Sequence, residues 1–405
     1  MKKLKHINGG VTAPAGFTAA GVSAGLKHKP GALDLALVVS ERPAAAAGTF
    51  TTNRVKAAPV KLCRQRLKTG TGRAFVINSG SANACTGERG MRDARETAEF
   101  AAKCLGVQEE DVFVCSTGTI GVPLPMEKVT AGIEKAAGQL SKKGGENSAL
   151  AIMTTDTVDK QTAVQVEIDG VTVTVGGMAK GSGMIEPDMA TMLAFLTTDA
   201  GVEPAVLQRC LSETVRVTFN RISVDGDRST NDTVLALANG AAGNRTLDEK
   251  HPHLPVFAEA LKSAAATLAE KMVRDGEGAT KFVTVNIRGA VSDSDAEKAA
   301  KAIADSLLVK TSWYGGDPNW GRVAAAAGYS GAEMNEELIE IFYDDLRAVK
   351  NGTASGEVSE EQLAAVLAKD SFEVTVNLHL GGGECAVYTC DCSHEYVDIN
   401  SKYRT

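Results

Sequence analysis

Residues 161 to 175 alternate apolar and polar side chains on both sides of Asp169-Gly170. An alternation of period two gives each strand one buried face. Asp-Gly accepts the positive φ angles that a two-residue hairpin turn needs. A chain with this feature contains an antiparallel pair, which a doubly wound parallel sheet does not supply. Apolar runs predict further strands over 34–40, 74–78, 112–116, 191–197 and 281–288. Segments 373–380 and 384–391 alternate in the same way and are expected to pair as a second hairpin through Gly381-Gly382-Gly383. Helical periodicity runs through 91–105, 126–142, 206–217, 256–273, 295–308 and 359–368, while 142–147 and 352–361 read as surface loops. Helices mixed among hairpins predict an antiparallel α+β layering.

The chain has 405 residues, enough for two or more lobes with sizeable cores. A net charge of −7 argues against broad nucleic-acid binding, and aromatics at 5% do not make a base-stacking platform. The basic start, Met1 to Gly10, has no apolar stretch of signal-peptide type, and no run reaches transmembrane length. Eight cysteines without a secretory signal are expected to be reduced thiols in the cytoplasm. Cys390, Cys392 and His394 alternate along the chain, but no second Cys/His cluster gives them zinc-site spacing, so no metal is expected.

Several loops imitate known motifs and fail in detail. Lys180 is followed by Gly181, not by the Ser or Thr of a phosphate-binding loop, and Glu186 stands where a dinucleotide fingerprint needs its third glycine. Asp225, Asp227, Ser229 and Asn231 begin like a calcium loop. Thr230 and Ala236 then occupy the positions that require Gly and Glu.

The segment from Lys180 to Phe195 admits two readings. A glycine-rich loop and an acidic Pro turn lead into Ala190-Thr191, and an apolar run follows. The plainer reading is a loop entering a core strand, with Thr191 present for its β propensity, and spacing alone favours it. The other is a self-cleavage site. A threonine hydroxyl at the first residue of a strand can attack the carbonyl before it. The α-amine so released, with a pKa of about 7.7–8.0, can then serve as the hydroxyl's base. Ser116-Thr117-Gly118-Thr119-Ile120-Gly121 likewise reads as a glycine turn leaving a strand, or as a turn whose hydroxyl and N–H groups face a developing oxyanion.

These motifs occur together with Val11–Phe17, Ala19–Gly25, Phe50–Pro59, Ile152–Asp156, Phe219–Asp227, Asp317–Arg322 and the closing Tyr403-Arg404-Thr405. In that order they resemble the glutamate N-acetyltransferase (ornithine acetyltransferase) family of arginine biosynthesis, over essentially the whole chain. The resemblance implies a four-layer αββα sandwich with a smaller C-terminal α/β lobe, at about 285–395. It implies self-cleavage between Ala190 and Thr191 into an alpha chain, 1–190, and a beta chain, 191–405, assembled as a heterotetramer of two of each. Thr191 would be the nucleophile, with Thr117 and Gly118 as the oxyanion hole. Thr154, Lys180, Thr191, Glu277, Asn400 and Thr405 would bind N2-acetyl-L-ornithine and L-glutamate, with no cofactor. Acetyl-CoA as a second donor is left open by the resemblance. Ser81 and Arg228 depart from the family's usual residues. Two other classes stay in view: a related self-cleaving aminopeptidase, and a non-enzymatic scaffold whose chain stays intact.

Overall fold

A computed structural model describes residues 4–186 and 192–402. The chain divides into two units, Met1–Asn220 with Asp227–Met272, and Arg221–Gly226 with Val273–Thr405.

The first unit carries the strands β1 (Lys5–Ile7), β2 (Phe17–Val22), β3 (Leu35–Phe50), β4 (Thr71–Ser81), β5 (Val112–Thr119), β6 (Lys160–Ile168), β7 (Val171–Lys180), β8 (Leu193–Thr198) and β9 (Thr233–Ala238). They hydrogen-bond in the order β1-β6-β7-β8-β9-β3-β4-β5, with β2 on β3. Neighbours are antiparallel except β4 with β5 and β8 with β9. A helix joins each parallel pair, Gly87–Leu105 in the first and Pro204–Val217 in the second, as a crossover requires. The expected hairpin forms: Ile168 faces Val171, and Asp169 and Gly170 adopt φ of 52° and 79°.

Strand β3 extends well past the predicted 34–40. Its register shifts between Val39 and Ala44, and from Ala45 onward it pairs with β9. That break folds the sheet over on itself. Phe75 of β4 meets Phe195 of β8 with ring centroids 5.2 Å apart, and Phe113 of β5 at 6.4 Å. Alternation along β4 explains the layering. Phe75 and Ile77 face inward beside Phe195, Leu235 and Leu237. Ala74 and Val76 face outward, where Ala98, Ala101, Val129 and Ile133 of the helices Gly87–Leu105 and Met126–Ala137 cover them. Against the β7–β8 half lies Leu268 of the helix Leu254–Arg274, so close to Gly177 that a Cβ there would stand 2.9 Å from its Cδ1. Helix, sheet, sheet, helix is the sandwich the resemblance implied. Each buried aromatic contributes about 1.5–3 kcal/mol through removal from water.

The second unit holds β10 (Phe282–Ala290), β11 (Glu340–Tyr343), β12 (Leu346–Lys350), β13 (Thr353–Ala354), β14 (Ser371–Asn377) and β15 (Gly383–Cys390), in the order β13-β12-β11-β14-β10-β15. Val283, Val285 and Ile287 of β10 pack with Ala300, Ile303 and Trp313 from the helices on one face. Ser359 and Gln362 form a capping box that starts the helix Glu360–Leu367. The second expected hairpin does not form. β14 and β15 both pair with β10, which runs between them, parallel to one and antiparallel to the other. The N–H groups of Leu378 and Leu380 donate to the carbonyls of Arg288 and Gly289, at 2.9 and 2.7 Å, so the connecting loop wraps the end of β10. Alternation marks a half-buried strand but not its partner, and β10 takes the place between the two. The loop expected at 142–147 gives way early to a helix, Gly145–Ala151. Among the described residues no helix is long and apolar enough to cross a membrane.

Candidate active site

Thr117 and Gly118 close strand β5. They lie beside Ser79 and Gly80 of the parallel neighbour β4, whose register breaks at Gly80–Ser81. Gly118 has φ of 129°, and a Cβ on it would come within 2.4 Å of the Gly80 carbonyl carbon. No other residue fits this turn, which is why the backbone can leave the ladder here. Thr117 is buried. The turn is fixed from behind: Ser116 Oγ donates to Asn78 Oδ1 at 2.6 Å, and Asn78 Nδ2 donates to the Ser81 carbonyl at 3.0 Å.

Lys180 is the last residue of β7 and is 3% exposed. Its cross-strand partner is Leu193, two residues after Thr191. Its Nζ stands 4.0 Å from Oδ2 of Asp156, a carboxylate that also accepts from Lys160 Nζ at 2.7 Å, Gly181 N–H at 2.7 Å and Thr154 N–H at 3.0 Å. Burial pushes the Asp156 carboxyl up. The charges of Lys180 and Lys160 and the donated hydrogen bonds outweigh it and hold the group at about 2. Asp156 thus binds Thr154 and Lys180, two residues named from the sequence, into one cluster. Sequence reasoning did not name Asp156 itself.

Two further residues belong here: Asn231, weighed from the sequence only as part of a calcium loop, and Asp232, not named at all. Asn231 Nδ2 donates to the carbonyls of Ser116, at 2.8 Å, and Ala82, at 2.6 Å. The next residue, Asp232, accepts the Met192 N–H on Oδ1 at 2.8 Å. Consecutive side chains therefore touch the strand that ends in Thr117-Gly118 and the residue that follows Thr191. Burial drives the Asp232 carboxyl well above the ordinary range, against the Met192 N–H, the Thr51 hydroxyl and the charge of Lys180. The Asn-Asp pair at the mouth of a strand was the signal available, and such residues before a strand are ordinary turn chemistry.

Arg228, one of the departures, forks onto Glu186 with Nε to Oε2 at 2.5 Å and Nη2 to Oε1 at 3.0 Å. The other, Ser81, donates to the Val122 carbonyl at 2.9 Å. In the second unit, Glu277 is buried just beyond the helix Leu254–Arg274, and its Oε2 accepts from Asn400 Nδ2 at 2.7 Å. Ala190, Thr191 and Thr405 lie outside the described residues.

Among the described residues one group has metal-ligand chemistry: Asp169, His251 and His253, with ligand atoms within 4.8 Å of one another. His251 Nδ1 accepts the His253 N–H at 3.2 Å, which leaves its proton on Nε2, 3.1 Å from Asp169 Oδ2. A protonated ring nitrogen has no lone pair for a metal, so the trio is a hydrogen-bonded brace on the hairpin turn.

A sequence profile of the ArgJ family matches residues 18–405. The arginine biosynthesis bifunctional protein ArgJ of Geobacter sulfurreducens is 52% identical over 390 residues, 96% of this chain and 99% of its own. That of Symbiobacterium thermophilum is 52% identical over 403 residues, 99% of this chain and 100% of its own. Among solved structures, an ArgJ chain from Bacillus halodurans is 46% identical with a TM-score of 0.50, covering 51% of this chain and 97% of its own. Ornithine acetyltransferase complexed with ornithine, from Mycobacterium tuberculosis, is 50% identical with a TM-score of 0.43, covering 46% of this chain and 98% of its own.

Proposed function

The chain belongs to the ArgJ family, and from that premise we propose that it carries an acetyl group from N2-acetyl-L-ornithine to L-glutamate on Thr191, after cutting itself between Ala190 and Thr191. In the cut, Thr191 Oγ attacks the Ala190 carbonyl carbon. The bond to the Thr191 nitrogen breaks, the nitrogen takes the proton, and water hydrolyses the resulting ester. Thr191 is left with a free hydroxyl and a free amine.

In turnover the amine takes the hydroxyl proton and Oγ attacks the acetyl carbon. Ornithine departs with the proton, and the amine of L-glutamate then attacks the acetyl ester. Thr117, by its side chain, and Gly118, by its N–H, hold the oxyanion in both directions, a role worth about 10²–10³ in rate per donor. Lys180 meets a substrate carboxylate and Glu277, with Asn400, meets an ammonium. Thr154 and the Thr405 carboxylate complete the binding set. The word bifunctional in the relatives' names supports acetyl-CoA as a second donor to the same acetyl-enzyme. The assembly is two chains of each kind, in the cytoplasm.

The observation that carries this reading is the adjacency of Asn231 and Asp232. One donates to the Ser116 carbonyl beside Thr117 and the other accepts the Met192 N–H, and this supports a common site for the proposed oxyanion donors and nucleophile. The half-length solved relative, matched over 97% of itself by 51% of this chain, supports a cut near the middle. Intact mass with N-terminal sequencing tests it. Two pieces are expected, the second beginning at Thr191, and Thr191→Ala should give one uncut, inactive chain. A cut product from that variant means that a different bond is broken. Peptide or ammonia release without acetyl transfer would favour the aminopeptidase reading instead.

A further inference from the structure

We propose that the cleft between the helices Ala58–Arg66 and Pro204–Val217 holds the phosphate-bearing end of acetyl-CoA; this rests on the reading above that acetyl-CoA is a second donor. The cleft has a volume of about 710 Å³ and lies over the end of β3. Gln208 ties one wall to the floor: its Oε1 accepts the Gly48 N–H at 3.0 Å and its Nε2 donates to the Gly48 carbonyl at 3.1 Å. Lys56, Arg64 and Lys68 line the cleft and no carboxylate does, in a chain whose net charge is −7. Arg64 and Lys68 stand at i and i+4, so they share one side of the helix, and like charges so placed repel. Among the described residues neither has a carboxylate within ion-pair distance. A basic stripe on a helix is ordinarily a solvated face. This one borders a cleft of ligand size, small-molecule pockets being about 300–1,000 Å³.

N2-acetyl-L-ornithine and L-glutamate are small and do not need such a concentration of cations. Coenzyme A does: it joins several phosphate groups to a nucleotide and carries its thioester at the end of a long uncharged arm. Lys and Arg meet phosphate oxygens by charge-assisted hydrogen bonds. The wall of the cleft is bonded to the site already described. Thr51 donates its N–H to the Asp232 carbonyl at 3.0 Å and its hydroxyl to the Ser229 carbonyl at 2.8 Å. Asn231, between those two, reaches the Ser116 carbonyl beside Thr117 at 2.8 Å. Phosphates held by Lys56, Arg64 and Lys68 leave the arm to run along this wall toward the Thr117-Gly118 turn. There the thioester C–S bond breaks as the acetyl carbon bonds to the nucleophile's oxygen, and the proton that the hydroxyl gives up passes to the departing sulfur.

Arg64→Glu combined with Lys68→Glu changes two exposed side chains, so the protein should fold and cut as before, which its intact mass reads. The ratio of kcat/KM for acetyl-CoA to kcat/KM for N2-acetyl-L-ornithine should fall about tenfold or more. An unchanged ratio overturns the proposal. A second measurement needs no variant. In calorimetry on the cut wild-type protein, coenzyme A should bind more tightly than pantetheine, which has the arm and the thiol but no phosphate, and the advantage should shrink as salt rises. Equal affinity for the two overturns the proposal. So does an ATP affinity that matches that of coenzyme A, because the cleft would then be a general nucleotide site. Acetyl transfer from acetyl-CoA with an unchanged ratio refutes the place of binding alone. A wild-type protein that neither binds coenzyme A nor takes acetyl from acetyl-CoA refutes the second-donor reading beneath it.

Discussion

Asp156→Asn is the substitution that most directly tests how the site is held together. The carboxylate serves two lysines out of reach of bulk solvent: Lys160 is fully buried and Lys180 nearly so. Held at about 2 against the ordinary 3.8, the native group contributes about 2 kcal/mol through its charge alone. Removing one partner of a buried pair leaves uncompensated charge and costs more, about 3–5 kcal/mol, so that range is expected at neutral pH. A depressed carboxyl contributes its stability above the unfolded pKa and loses it as pH falls through the folded value. The wild-type advantage should therefore be complete above about pH 4 and fade toward pH 2, because protonation removes the same charge as the amide does. Urea unfolding of both proteins across that range reads the difference directly. Adding Lys160→Met to the variant should recover part of the loss, since it removes a buried cation whose Asp156 counter-charge has gone. A difference below about 1 kcal/mol at pH 7, or one flat between pH 2 and 5, would refute the account of Asp156 as the counter-charge.

Two other predictions concern groups that touch the proposed chemistry. Asn231→Ala strands the Ser116 and Ala82 carbonyls, each at a cost of about 1–3 kcal/mol. It should lower kcat more than it raises KM, which steady-state kinetics on the cut protein will read. Glu277→Gln keeps the contact to Asn400 and loses the charge, so KM for N2-acetyl-L-ornithine should rise about tenfold or more. Unchanged constants would remove Glu277 from the binding set.

The parts of this molecule that could be read from its residues are those where the cause is local. Asp169-Gly170 dictates a turn, and the strands beside it pair with each other because nothing else is near enough to compete. The same reasoning failed at 373–391, where β10, about ninety residues earlier in the chain, displaces the local pairing. Thr117 and Gly118 could be named by resemblance. The physical need for glycine there becomes plain only with Gly80 packed against it. Asp156, Asn231 and Asp232 were missed for one reason. Each acts on residues brought to it by folding, such as Ser116 and Met192, and carries no mark of this in its neighbours along the chain. Arg228 was visible as an oddity, and its role as the partner of Glu186 was not.

The order β1-β6-β7-β8-β9-β3-β4-β5 has a consequence for a chain broken at 190–191. Strands β8 and β9 would belong to the later piece, yet β7 borders them on one side and β3 on the other, both from the earlier piece. The two products would be woven together like fingers of clasped hands. Neither could leave without stripping two rows of backbone hydrogen bonds from the middle of the sheet. Such an interleaved arrangement is reached by folding first and cutting second, so scission would relieve the chain of its continuity while leaving the enzyme a single body.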